Sequence, residues 1–381
     1  MTDLENILPL WHELEAAGAE YVLATVVEVD GPSYRKPGAR MLIAKDGRRA
    51  GTVSGGCLEA EVAKRAWWLT ESGPRVERYS TAEDDGDMPY GSGCGGVIFV
   101  LLERRATATT LLNALEAAFQ ARMPLAIATL LEGTEISKRF FAGPTAQTAQ
   151  SDQVVAGSLS DWLQGLAFEA LEERRSLDQR VAVDAQPTRI WVDYRAPRPG
   201  LWIFGAGDDA KPLVRLSRAL GWFTAIADGR SHLATRDRFS AADKVLTLPI
   251  ETLPANHLEL DAVKMSDAVV LVTHSFDQDA RILATLLNRE HLPFYLGVLG
   301  PQRRTREVLA EAARLLGLPK EHDRAEQWLR QLHAPTGLDL GAETPAAIAL
   351  SIIAEIQQTL NSASALPLRQ VRAVHPAISN A

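Results

Sequence analysis

The run Leu201-Trp202-Ile203-Phe204-Gly205-Ala206-Gly207-Asp208-Asp209-Ala210 limits the possible folds of this chain more than any other segment. An apolar strand leads into Gly-x-Gly-x-x-Ala and then into a helical stretch that reaches Leu220. Gly221 closes that helix, and a second strand over residues 223–227 ends at Asp228. This order is the setting in which a glycine turn can seat a dinucleotide. Gly205 would permit the tight turn and Gly207 a close approach to pyrophosphate. Ala210 would let helix and strand pack closely, and Asp228 would meet a ribose hydroxyl. Asp208 and Asp209 act against this, because carboxylates beside a helix N-terminus cap the helix but repel phosphate. Strands over 244–248, 268–273 and 294–299, with a helix over 279–288 between the last two, continue the alternation. The pattern predicts a Rossmann-like, doubly wound parallel sheet. Ligands of such sheets lie beyond the carboxyl ends of the strands. That singles out His274 as a proton carrier or polar contact, and Arg303, Arg304 and Arg306 as phosphate clamps.

The first half reads as mixed α/β. A helix is expected over 4–17, a buried strand over 21–29, and a hairpin around Asp46-Gly47. Helices follow over 58–70, 106–121 and 162–174, with strands over 97–102 and 125–131, while residues 132–160 read as polar and turn-rich. Pro187, Pro197, Pro199 and Gly200 surround a short strand over 190–192, which marks a boundary. The expected organisation is an N-terminal domain over 1–190, a Rossmann-like domain over 200–345, and a helix with a tail over 345–381.

The chain holds two cysteines, and both sit in glycine. Cys57 lies in Ser54-Gly55-Gly56-Cys57-Leu58-Glu59 and Cys94 in Gly91-Ser92-Gly93-Cys94-Gly95-Gly96. Successive backbone N–H groups in such loops can form an anion-binding concavity, and the start of the helix that follows Cys57 would lower a thiol pKa. Two thiols with two candidate nests suggest a phosphate-bearing, sulfur- or metal-linked ligand. Arg35, Lys36 and Arg40, in the nearby loop bounded by Gly31-Pro32 and Pro37-Gly38, would add positive charge. The two cysteines and eight histidines show no zinc-type spacing. A net charge of -8 and the lack of a basic run interleaved with aromatics weigh against nucleic acid as a partner. With no signal-peptide pattern and no apolar stretch long enough for a span, the cytoplasm is the expected compartment.

Gly31-Pro32-Ser33 with Arg35 and Pro37-Gly38-Ala39, then Ser54 to Glu59, then Cys94-Gly95-Gly96 resemble the first domain of the XdhC/CoxI family. Gly205-Ala206-Gly207, Asp228, Thr273-His274, Gly297 to Gly300, and Gly337-Leu338-Asp339-Leu340-Gly341 with Thr344-Pro345 resemble its Rossmann-like domain. The resemblance spans roughly residues 10–360. It implies a factor that binds the molybdenum cofactor (molybdopterin, alone or nucleotide-linked), assists replacement of an oxo ligand by sulfur, and delivers the cofactor to an apo molybdenum hydroxylase. A cysteine desulfurase would supply the sulfur, and a homodimer is expected. Cys57 is the expected molybdenum contact, with Ser54, Gly55, Gly56, Cys94, Gly95, Gly96, Arg35, Gly205, Gly207, Asp228, His274 and Arg303 completing the cofactor-binding set. The family often has histidine where this chain has Asp208, which sets ordinary NAD(P) binding in doubt. The alternatives are an NAD(P)-dependent oxidoreductase using the Rossmann-like domain and a thiol redox protein using the two cysteines.

Overall fold

The β-branched run after Gly18-Ala19-Glu20 forms β1 (Tyr21–Asp30), the middle strand of a five-stranded antiparallel sheet. Around it lie β2 (Arg40–Ala44), β3 (Arg49–Gly51), β4 (Arg75–Ser80) and β5 (Val97–Arg104), in the order β3-β2-β1-β5-β4. The computed structural model describes residues 3–56, 58–80, 96–144, 159–183, 186–255, 260–318 and 324–371. These fall into two compact units, Met1–Arg198 and Pro199–Ala381.

In the first unit the strand period of two divides β1 between two cores. Tyr21 and Leu23 face α1 (Asp3–Ala16) and α3 (Arg105–Ala121), packing with Ile7, Trp11, Leu111 and Leu115. Val22, Ala24 and Val26 face α2 (Glu59–Leu69) and its Val62, Ala66 and Leu69. A second antiparallel sheet has the order β7-β6-β9-β8, made by β6 (Leu125–Leu130), β7 (Arg139–Ala142), β8 (Leu177–Val183) and β9 (Gln186–Arg195). Helix α4 (Leu159–Glu173) covers one face of it through Leu163, Leu166, Ala167 and Ala170. The short strand expected at 190–192 is the middle of the ten-residue β9, which pairs with both β6 and β8. β7 falls inside the stretch read as turns, with Arg139, Phe140 and Phe141 only partly buried, so its apolar pattern is weak.

The second unit is built on a fully parallel sheet, as expected. β10 (Gly200–Phe204), β11 (Phe223–Asp228), β12 (Lys244–Thr247), β13 (Asp267–Leu271) and β14 (Tyr295–Val298) take the order β12-β11-β10-β13-β14. Leu201 and Ile203 pack against α5 (Ala210–Ala219) and α9 (Pro345–Leu360), whereas Trp202 and Phe204 pack against α6 (Phe276–Leu287) and α7 (Gln302–Leu315). Helices on both faces explain why these strands are continuously apolar rather than alternating. α9 starts where Thr344-Pro345 predicts, the Thr344 hydroxyl accepting from the Ala347 N–H at 3.2 Å. The topological switch lies between β10 and β13, the first strand and the one added on its other side.

Candidate functional site

In the first unit β3 leads through a turn into α2, and Glu59, the first residue of α2, folds its carboxylate back over that turn. It accepts from the Thr52 hydroxyl at 2.6 Å, the Ser54 hydroxyl at 2.6 Å, the Ser54 N–H at 2.8 Å and the Val53 N–H at 3.2 Å. Ser54 Oγ in turn accepts from the N–H groups of Gly56 (3.3 Å) and Leu58 (3.1 Å). Burial works to raise the Glu59 pKa, but the bonds from Ser54 and Thr52 prevail and bring it to about 2. The Val53 and Ser54 N–H groups therefore point onto a resident carboxylate, and those of Gly56 and Leu58 onto the Ser54 hydroxyl. Of the N–H groups expected to form an anion nest, that of Ser54 is taken by Glu59 and that of Gly56 by the Ser54 hydroxyl, and the turn exposes Gly55 and Gly56.

The loop after β1 touches both glycine segments. A Cβ on Gly55 would lie 3.3 Å from the Tyr34 ring, and a Cβ on Gly96 would run into the Pro32 carbonyl oxygen. Tyr34 is 79% exposed, so beyond its contact with Gly55 the ring stands open to solvent. Cys57, Cys94 and Gly95 lie outside the described residues. Arg35 is ion-paired with Asp3, and burial lowers its pKa while the Glu59 charge opposes that shift. Arg40, expected to lend charge to a ligand, is instead buried. Its Nη2 donates to Asp193 at 2.7 Å and its Nη1 to the Gly38 carbonyl at 3.0 Å. As a strand residue facing the second sheet it has no route to solvent.

In the second unit, Gly205 has φ +115, and a Cβ there would lie 2.5 Å from the Val272 carbonyl oxygen, so the turn into α5 requires glycine. A Cβ on Gly207 would meet nothing within 4 Å. Asp228, expected to meet a ribose, is buried with both oxygens occupied. They accept from the Ala206 N–H (2.7 Å), the Arg230 N–H (2.9 Å), and Arg230 Nε (3.0 Å) and Nη2 (2.8 Å). Burial pushes its pKa up, but the bonds from Arg230 and Ala206 outweigh it and hold the carboxyl below the usual range. With these partners both Asp228 oxygens are engaged by Ala206 and Arg230.

Across the switch point His274 Nε2 meets Asp209 at 3.1 Å. His274 adopts φ +58, a conformation uncommon outside glycine. The Thr273 hydroxyl anchors the turn by donating to Asp279 at 2.6 Å and accepting from the Ser275 N–H at 3.0 Å. Arg304 Nη2 lies 2.8 Å from Asp279, whose pKa burial raises against the pull of Thr273 and Arg304. Arg303 is not part of this group. It is 91% exposed and pairs with Glu307, while Arg306 pairs with Glu326 and Arg304 with Asp279. Among the described residues no group of three His, Cys, Asp or Glu side chains is placed to hold a metal ion, and no helix is long and apolar enough to cross a membrane.

Nothing in the sequence alone assigns a role to Tyr34, Glu59 or Arg238. The available signals were an aromatic in a Pro/Gly-bounded loop and a carboxylate at the first helical position after a Ser-Gly-Gly turn. Arg238 left no local signal, because it reaches Asp208 from far along the chain.

A family model described as the XdhC Rossmann domain matches residues 201–356, and one described as the XdhC and CoxI family matches residues 14–80. Over 347 residues the chain is 30% identical to a Bacillus subtilis (strain 168) protein described as a probable xanthine dehydrogenase subunit, covering 89% of this chain and 93% of that protein. Over 369 residues it is 27% identical to the molybdenum cofactor insertion chaperone PaoD of Escherichia coli (strain K12), covering 93% and 88%. A crystal structure described as a xanthine dehydrogenase from Bacillus halodurans matches with a TM-score of 0.69 at 28% identity, covering 98% of this chain and all of that one.

Proposed function

From the premise that the chain belongs to the XdhC/CoxI family, we propose that it carries the molybdenum cofactor to an apo molybdenum hydroxylase of the xanthine dehydrogenase type. The observation that carries this reading is the convergence of one loop on both glycine segments, through Tyr34 on Gly55 and Pro32 on Gly96. The exposed Gly55 and Gly56 let a flat ligand approach the backbone, and the open Tyr34 ring offers a face on which a pterin can stack. Cys57, next to Gly56, is the thiolate assigned to the soft molybdenum–dithiolene end, with Cys94 second. The same proposal makes the carried cofactor the form on which a terminal oxo ligand is exchanged for sulfur supplied by a cysteine desulfurase, in the cytoplasm, with the carrier acting as a homodimer.

Cofactor capture tests this. The full chain is produced with molybdate, purified, and assayed for molybdenum and for the oxidised pterin fluorophore, alongside Cys57→Ala and Cys94→Ala. The expected result is pterin bound to the wild type and lost in Cys57→Ala. A folded wild-type protein without pterin would remove the carrier role.

A further inference from the structure

The Rossmann-like turn of the second unit raises the question of what its crevice admits. A dinucleotide seats its pyrophosphate on the N-terminus of the first helix and its ribose on the acidic residue ending the second strand. Neither place fits that group here. Asp208 and Asp209 are the two residues immediately before α5. Asp208 Oδ1 is held by Lys211 Nζ at 2.7 Å and by Arg238 Nη2 at 3.0 Å, and Arg238 Nη2 also donates to the Ala206 carbonyl at 3.2 Å. Asp209 is held by His274, whose left-handed backbone is fixed by the Thr273–Asp279 bond. The carboxylate that would take the ribose, Asp228, is closed by Arg230 and the Ala206 N–H.

We propose that Asp208 and Asp209 set the selectivity of this crevice. They act as built-in anions beside the N-terminus of α5, Asp208 paired with Lys211 and Arg238 and Asp209 bonded to His274, and they turn away pyrophosphate-bearing ligands such as NAD(P). The cations that a phosphate would need are present but already engaged. With Lys211 and Arg238 engaged by Asp208, a pyrophosphate meets the Asp209 charge while a helix N-terminus offers only modest attraction. Removing the two charges would leave Lys211 and Arg238 beside a glycine turn without their carboxylate partner, an arrangement that favours phosphate. The inference concerns the second unit and does not depend on cofactor carriage.

The test is gain of binding in the full chain. Calorimetry with inorganic pyrophosphate and fluorescence titration with NADH compare the wild type with Asp208→Asn/Asp209→Asn. The single variant Asp208→Asn, at a side chain 78% exposed, serves if the double variant does not fold. The wild type is expected to show no saturable binding of either probe. The charge-neutral variants should gain pyrophosphate affinity by more than about tenfold, the scale of one close charge repulsion near a surface. Saturable NADH binding by the wild type would overturn the proposal. So would folded charge-neutral variants that gain nothing, because the carboxylates would then not be the barrier. Pterin content, measured separately, reports on the carrier role, so the two readings fail independently.

Discussion

Glu59 links a local hydrogen-bond pattern to a pH-dependent stability. Its pKa falls from an ordinary 4.5 to about 2 because four donors of the preceding turn converge on it. A carboxylate whose pKa is lower folded than unfolded stabilises the fold fully above its ordinary pKa, and that contribution is lost as pH falls toward the folded value. Thermal unfolding of wild type and Glu59→Gln should therefore differ most near neutral pH, with the gap closing between roughly pH 4.5 and 2. A pH-independent gap would mean that the charge of Glu59 does not hold the turn. Tyr34 is a cleaner probe of ligand contact, since its ring is largely exposed and little packing is lost with it. Tyr34→Ala should lower the pterin content severalfold at an unchanged melting temperature, and Tyr34→Trp should keep it, as stacking requires. Equal pterin in all three proteins would remove the stacking platform.

At the scale of elements, the two sheets of the first unit face each other through charge as well as apolar side chains. Arg40 of β2 pairs with Asp193 of β9, and Arg139 of β7 with Glu103 of β5, all four side chains no more than 7% exposed. Burial lowers the Arg40 pKa to about 10 even with Asp193 beside it, so desolvation is the larger effect on that group. Asp193→Asn leaves Arg40 with less compensation and should cost about 3–5 kcal/mol in denaturant unfolding. The double variant Arg40→Met/Asp193→Leu should cost less than the single one, since it removes the buried charges together. A double variant at least as damaged as the single one would show that the pair itself specifies the packing. These pairs also mark where the sequence was hard to read. Apolar strands such as β1 and β10 carry their signal in the residues themselves, and both lie close to where the sequence places them. β7 and β9 hold Arg139 and Asp193, whose partners Glu103 and Arg40 lie 36 and 153 residues away, so a local reading sees a polar loop and a fragment. The same holds at the sites. Gly205 and the Thr344 cap are local and legible. The closure of Asp228 by Arg230 and of Asp208 by Arg238 depends on side-chain directions, which spacing does not encode.

For the whole molecule the proposed role is delivery, and delivery has a stoichiometry. A carrier releases cargo because the recipient binds it more tightly, and transfer is nearly complete once that preference reaches about hundredfold, or about 2.7 kcal/mol. Each loaded chain then activates at most one cofactor site and must be reloaded, whereas an enzyme acting on the hydroxylase would keep turning over. Mixing pterin-loaded chain with a cofactor-free molybdenum hydroxylase and separating the two by size should show pterin leaving one fraction and entering the other. Hydroxylase activity should rise linearly with added carrier and stop at the pterin supplied, and cofactor-free Cys57→Ala protein should contribute none. Activity that climbs past the pterin supplied, or appears while pterin stays with this chain, would make the protein a catalyst of maturation and not the vessel for its cargo. The selectivity assigned to Asp208 and Asp209 adds a second arm. Excess NADH or pyrophosphate should leave the transfer unchanged in the wild type, because Asp208 and Asp209 beside α5 turn such ligands away.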